Sequence, residues 1–312
     1  MKQLAETARK IHEMEIRGAG KIARTAAAEL RDYAFRLRTH DIIEFNEKMR
    51  IAAELLVSMR PTAVSLPNAV RAVKRYKGGT VEDARRSIKE LADGFIAGSE
   101  NAIKRIGDIG SKRVRDGDTI MTHCNSAAAI SIMAAAYAQG KDIRVINTES
   151  RPRMQGHLTT RQLDVLGIKT SLIVDSAVRY FMKEVDIVIM GADAVTANGS
   201  VINKIGTSQV ALSAKESRKN VIIAAETYKF SPRTILGDLV DIEERDRGEV
   251  ISPEKLSEFS NVTVKNPAFD VTPREYIDLI CTEVGGFPPE MAYVIIKDFL
   301  GWGIEEMNSN GA

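Results

Sequence analysis

RDGDTIMTHCNSAAAISIMAAAYAQG, residues 115–140, is the stretch that decides the fold. Arg115-Asp116-Gly117 reads as a turn, because Asp and Gly each adopt backbone conformations that strands and helices avoid. The short apolar run 119–122 then predicts a strand, and the alanine-rich segment 126–139 predicts a helix. A strand feeding directly into a helix is how a parallel sheet with crossover helices is written.

The same alternation continues downstream. Further strands are predicted at 143–147, 171–174, 186–190 and 220–224, with a later one at 262–264, and helices at 159–166, 178–182, 208–218, 273–281 and 289–299. That pattern is a Rossmann-like domain, and the polar, small-residue stretch 305–312 reads as a frayed tail. Upstream, apolar residues recur at helical spacing from Met1 to about Gly110, as in Ile22, Ala26, Leu30 and Tyr33, and in Ile51, Leu55 and Met59. With breaks at Gly18 and Gly20, at 61–67 and at Gly78-Gly79, about five helices are expected. The predicted class is therefore α/β: a helical N-terminal domain over 1–112 and a Rossmann-like domain with a mainly parallel sheet over 113–312.

The chain has 312 residues, enough for about two domains of ordinary size. Its 44 basic and 42 acidic residues leave a net charge of +2, so no overall field favours nucleic acid or anionic membrane, and any anion must be bound locally. The opening MKQLAETARKIHEMEIRG lacks an uninterrupted apolar segment and a cleavage site, and no later run reaches membrane-spanning length. A cytoplasmic location is expected. Cys124 and Cys281 are too few for a disulfide framework, and with the four histidines they make no zinc spacing, so no metal is expected.

Open parallel sheets carry their sites outside the carboxyl ends of the strands. Cys124 leaves the strand 119–122 just before an alanine-rich helix, whose unpaired N–H groups and dipole favour a thiolate and can cradle a phosphate. The competing reading is a small buried hydrophobe. Asp193 follows the apolar run 185–190 in Gly191-Ala192-Asp193; partial desolvation there raises a carboxyl pKa and suits a general acid, against the alternative of a turn or capping aspartate. Arg17-Gly18-Ala19-Gly20, Arg60 beside Pro61, Asn203-Lys204 and Lys229 are candidate anion contacts, the competing reading for each being a solvated surface group. His123 should face away from Cys124, because neighbours at a strand end alternate, and His157 is expected to cap the helix that follows.

The blocks RGAG (17–20), RPTAVSLPNA (60–69), THCNSAA (122–128), NTESRPRMQG (147–156), GADAVTANGSVINKIGT (191–207), ETYKF (226–230) and NPAFDVTP (266–273) run through nearly the whole chain. In this order they resemble the signature of the superfamily that unites methylthioribose-1-phosphate isomerases with the alpha, beta and delta subunits of initiation factor 2B. The regulatory subunits generally lack the cysteine and aspartate pair, which this chain has. The methylthioribose enzymes typically carry Cys-Asn-Thr-Gly where this sequence has Cys-Asn-Ser-Ala, and the departures match the archaeal ribose-1,5-bisphosphate isomerase family.

That resemblance implies the same two-domain fold and conversion of ribose 1,5-bisphosphate, derived from AMP breakdown, to ribulose 1,5-bisphosphate. It implies Cys124 as proton acceptor and Asp193 as proton donor. It implies substrate contacts at Arg17, Gly18, Ala19, Gly20, Arg60, Ser126, Ala127, Ala128, Asn203, Lys204 and Lys229. It further implies no cofactor, AMP as an activator, and a homo-oligomer, either a dimer or a hexamer built as a trimer of dimers. The alternatives are a methylthioribose-1-phosphate isomerase and a non-enzymatic regulator of the initiation-factor type.

Overall fold

The computed structural model describes residues 2–13, 15–16, 18–59, 64–236 and 242–301. The predicted tail 305–312 lies outside them. The chain divides into two compact units, Met1–Ala102 and Ile103–Ala312, and the division falls inside a long helix.

The first unit is helical: α1 (Lys2–His12), α2 (Ala19–Arg36), α3 (Ile42–Ser58), α4 (Ser65–Lys74) and the start of α5 (Val81–Gly110). The stripe Ile22, Ala26, Leu30, Tyr33 of α2 is buried as its spacing predicts. In α3 the core face is Phe45, Met49, Ala52 and Leu56, whereas Ile51 is exposed. The predicted stripe on Ile51 and Leu55 is thus set one residue away from the face that packs. Gly78-Gly79 separates α4 from α5, but Gly20 lies inside α2 and Pro67 inside the first turn of α4, where a missing N–H costs nothing.

The second unit is built on a seven-stranded sheet. Its elements are β1 (Thr119–Thr122), α6 (Ala127–Ala138), β2 (Arg144–Thr148), α7 (Gln155–Val165), β3 (Lys169–Ile173), α8 (Val178–Phe181), β4 (Ile187–Gly191), β5 (Ala194–Val195), β6 (Val201–Lys204), α9 (Thr207–Glu216) and β7 (Asn220–Ala224). A short α10 (Pro253–Leu256), β8 (Phe269–Thr272), β9 (Leu279–Thr282) and β10 (Gly285–Phe287) follow. The sheet order is β10-β9-β7-β4-β1-β2-β3, with every pairing parallel except β9–β10.

All five residues of β4 are buried, as a central parallel strand covered on both faces requires. Its alternate residues serve two cores. Val188 and Met190 join Met121, Val221 and Ile223 on one face, and Ile187 and Ile189 join Ile120, Ile222 and Ala224 on the other. A separate antiparallel sheet, β5-β6-β8, pairs Asn203 with Asp270 and Lys204 with Phe269.

Two expectations fail near the C-terminus. Residues 262–264 form no strand; the strand of that region is β8, some five residues later. The segment 273–281 is not a helix: after a single turn at Arg274–Tyr276, Leu279-Ile280-Cys281-Thr282 joins β7 as β9. A short apolar run reads equally as helix or strand, and here the available edge of β7 decides. Residues 289–299 coil, but as a 3₁₀ turn, one α-turn and a π-turn in succession. Among the described residues, no helix is long and apolar enough to cross a membrane.

Candidate active site

The strand order reverses at β1. From there the chain proceeds outward through β2 and β3 on one side, and β4, β7 and β9 lie on the other. The crevice at such a switch point, at the carboxyl ends of the strands, is where open α/β sheets bind ligands. Cys124 lies two residues beyond β1 and Asp193 two residues beyond β4, the strands that flank this point. The close approach depends on Gly191, because a Cβ there would stand 2.3 Å from Ser126 Oγ and 2.4 Å from Ser126 Cβ.

Cys124 is buried, with a left-handed backbone (φ 68°). Its N–H donates to Ser150 Oγ at 2.8 Å, its carbonyl accepts from Thr159 Oγ1 at 2.7 Å, and its thiol lies 3.7 Å from Gln155 Oε1. Burial pushes the thiol up to about 12. Lys204 works against that rise and Asp193 adds to it, so the three groups share one electrostatic neighbourhood. The thiolate expected from the helix N-terminus is therefore corrected for the free protein: burial penalises the charged form of the thiol. Ser126 caps α6 through Ala129 N at 3.3 Å, and Ala127 and Ala128 are its first two residues.

Lys204 and Lys229 are not solvated surface cations. Lys204 is 6% exposed; its Nζ donates to Ala268 O at 3.0 Å and sits 4.8 Å over the Phe269 ring. Burial lowers its pKa, and Cys124 is the first of the groups that oppose this. Asn203 Nδ2 donates to Thr207 Oγ1 at 3.0 Å. Lys229, just past β7, is equally buried and is held at 2.7 Å by Glu226, which also accepts from Tyr228 OH at 2.9 Å. In the helical unit, Gly18 (φ 87°) is the N-cap of α2, and Ala19 and Gly20 are its first two residues. Arg17 and Arg60 lie outside the described residues. His123 lies between Thr148 Oγ1 at 2.6 Å and Ile205 O at 2.9 Å, a buried brace between β2 and the loop after β6. His157 is exposed in the first turn of α7.

A narrow cleft borders this centre through Lys204 and Gln155. Arg151, Arg153, Arg245 and Glu249 line it as well. None of these four was singled out from the sequence. The available signal was Arg151-Pro152-Arg153, two cations just beyond the carboxyl end of β2, where a ligand is expected. Asp175 fixes that loop by accepting from Ser150 N at 2.8 Å and Arg151 N at 2.7 Å.

A Rossmann-like sheet with a cysteine and an aspartate beyond the two strands that flank its switch point, and a buried lysine on the neighbouring sheet, defines a class of small-molecule site. The profile described as Initiation factor 2 subunit family matches residues 15–289. The chain is 56% identical to a protein of Archaeoglobus fulgidus named ribose 1,5-bisphosphate isomerase, over 98% of this chain and 96% of that one. It is 54% identical to a protein of the same name from Methanocaldococcus jannaschii, over 96% of each. A solved Pyrococcus horikoshii structure described as translation initiation factor eIF-2B matches with TM-score 0.80 and 32% identity, covering 93% of this chain and 98% of that one. The chain therefore belongs to the initiation factor 2 subunit family, and within it to the enzymes, as an isomerase.

Proposed function

We propose that the chain converts ribose 1,5-bisphosphate to ribulose 1,5-bisphosphate, with Cys124 and Asp193 moving the protons. The observation that carries this reading is that Cys124 and Asp193 each follow by two residues the adjacent strands β1 and β4 that flank the switch point. The names of the two archaeal relatives supply the substrate.

A sugar esterified at O1 cannot open to an aldehyde, so the ring C1–O4 bond must break with acid help. Asp193 gives its proton to O4 as that bond breaks. Cys124 thiolate takes the proton from C2, which leaves a phosphoenolate, and returns it to C1; the O2 proton goes back to the Asp193 carboxylate, giving the 2-ketone and restoring both groups. The pair thus works with one proton between them. The reaction needs the thiolate at Cys124, whereas burial favours a proton on it in the free protein. Lys204, whose charge favours the thiolate, lowers the cost of moving it.

Asn203, Ser126, the N-terminus of α6 and Lys229 complete the contacts in this reading; the family resemblance adds Arg17, Gly18, Ala19, Gly20 and Arg60 to the expected substrate contacts. The family resemblance adds AMP as activator and a homo-oligomeric working form, for which dose–response kinetics and sedimentation are the tests.

The deciding experiment incubates purified protein with ribose 1,5-bisphosphate and, separately, with methylthioribose 1-phosphate, followed by phosphorus NMR. Ribulose 1,5-bisphosphate is expected from the first and no product from the second. Cys124→Ser and Asp193→Asn should each abolish turnover while leaving the melting temperature within a few degrees of wild type. Wild-type rates in either variant reject the assignment of roles.

A further inference from the structure

The cleft beside Lys204 brings together four cations and one carboxylate. Arg151 and Arg153 come from the loop after β2, Lys204 from the end of β6, and Arg245 and Glu249 from a segment some 100 residues further along the chain than the loop. Both Nε and Nη2 of Arg153 point at a single oxygen, Glu249 Oε1, the Nε contact being 2.9 Å. The other oxygen, Glu249 Oε2, is buried and accepts no hydrogen bond. Asn266, which borders the same cleft, gives its amide to Asp246 O at 2.8 Å and also lies against the Glu249 carboxylate.

A guanidinium presents a fork suited to two oxygens of a carboxylate or phosphate. Here the fork rests on one oxygen, so its capacity to hold two is left unused. A phosphate in the same place offers three oxygens and up to two charges to the surrounding cations. Arg151 Nη2 lies 3.4 Å from Val250 O, so the Glu249 segment is attached to this loop at two adjacent residues.

We propose that this cleft is the clamp for one phosphate of the sugar bisphosphate, and that Glu249 is an internal carboxylate standing in for it, displaced from Arg153 when substrate binds. This rests on the reading of the substrate given above. It makes Arg153 a specificity residue, because a substrate with one phosphate cannot use both this clamp and the contacts around Cys124.

The two partners of the Arg153–Glu249 pair then have opposite effects on binding, which a merely structural ion pair cannot produce. Arg153→Met is expected to raise KM for ribose 1,5-bisphosphate by about tenfold or more. Glu249→Gln, which removes the competitor and keeps the shape, is expected to lower KM about threefold or more. Calorimetric titration of inorganic phosphate should show the same opposite signs, with melting curves confirming that both variants fold. Shifts of equal sign, or no shift in either, overturn the clamp. If wild-type protein turns over no sugar phosphate, the substrate reading fails separately: the phosphate titration then judges the clamp alone, and absent or equally shifted phosphate binding overturns it.

Discussion

The Cys124 backbone N–H donates to Ser150 Oγ at 2.8 Å, and both residues hold left-handed backbone, φ 68° and 60°. The tips of β1 and β2 are thereby tied together at two positions that only a supporting structure keeps in that region. Ser150 Oγ also lies 3.2 Å from Thr148 Oγ1, so the hydroxyl is part of a buried network. Ser150→Ala leaves the buried Cys124 N–H without its acceptor, a loss of about 1–3 kcal/mol. Urea unfolding should show a loss of that size, and an unchanged midpoint would mean that the tie does not hold the loop.

The high thiol pKa has a chemical signature. Alkylation of Cys124 by iodoacetamide, followed by peptide mass spectrometry, should rise about tenfold per pH unit from 8 to 10 with no plateau. Because Lys204 lowers the thiol pKa and Asp193 raises it, Lys204→Met should slow labelling and Asp193→Asn should speed it. A plateau below pH 9 would place a thiolate in the free protein after all.

Asp270 caps the loop into α9, accepting from Gly206 N at 2.8 Å and from Ser208 N, yet burial lifts its carboxyl to about 6 from the ordinary 3.8. The folded state therefore holds a proton that the unfolded state has already released between those values. The associated stability is fully present below pH 3.8 and disappears as pH rises through 6, an effect of roughly 3 kcal/mol at most. In melting curves from pH 4 to 7, Asp270→Asn should gain on wild type as pH rises. Parallel curves would show that the carboxyl titrates normally.

Two glycines allow backbones to meet at the site. An added Cβ at Gly156 would stand 1.8 Å from Thr148 O, a backbone atom, whereas at Gly191 it would meet the Ser126 side chain at 2.3 Å. Gly191→Ala should cost about 1–3 kcal/mol, as overpacking does, and Gly156→Ala more, because a backbone carbonyl cannot rotate away. Denaturant midpoints in the reverse order would contradict this.

Lys229 and Glu226 form a buried ion pair, with side chains 8% and 3% exposed. Removing one partner strands the other, so Lys229→Met should destabilise by about 3–5 kcal/mol. The double change Lys229→Met with Glu226→Gln should recover much of that stability. If Lys229 also contacts substrate, the double variant stays impaired in KM, which separates the two roles; recovery of KM together with stability removes Lys229 from the binding site.

The elements near the site were readable locally. A turn, an apolar run and an alanine-rich segment write β1 and α6, and the largely apolar 186–190 writes the strand observed as β4; each follows from propensities and periods that span fewer than twenty residues. Cys124 and Asp193 stood out for the same reason, since a parallel sheet delivers whatever follows its strands to one edge. Other features depended on packing partners far away in sequence. Leu279–Thr282 became a strand because β7 offered an edge, and Lys204 became buried because β8 lies beside it. The thiol became a weak acid because protein surrounds it, and Arg153 met Glu249 across 96 residues. Local pattern determines which segments coil or extend and which residues reach the sheet edge. Desolvation and long-range pairing, set by residues distant in the chain, decide the charge that each of those groups carries and the anion that it can hold.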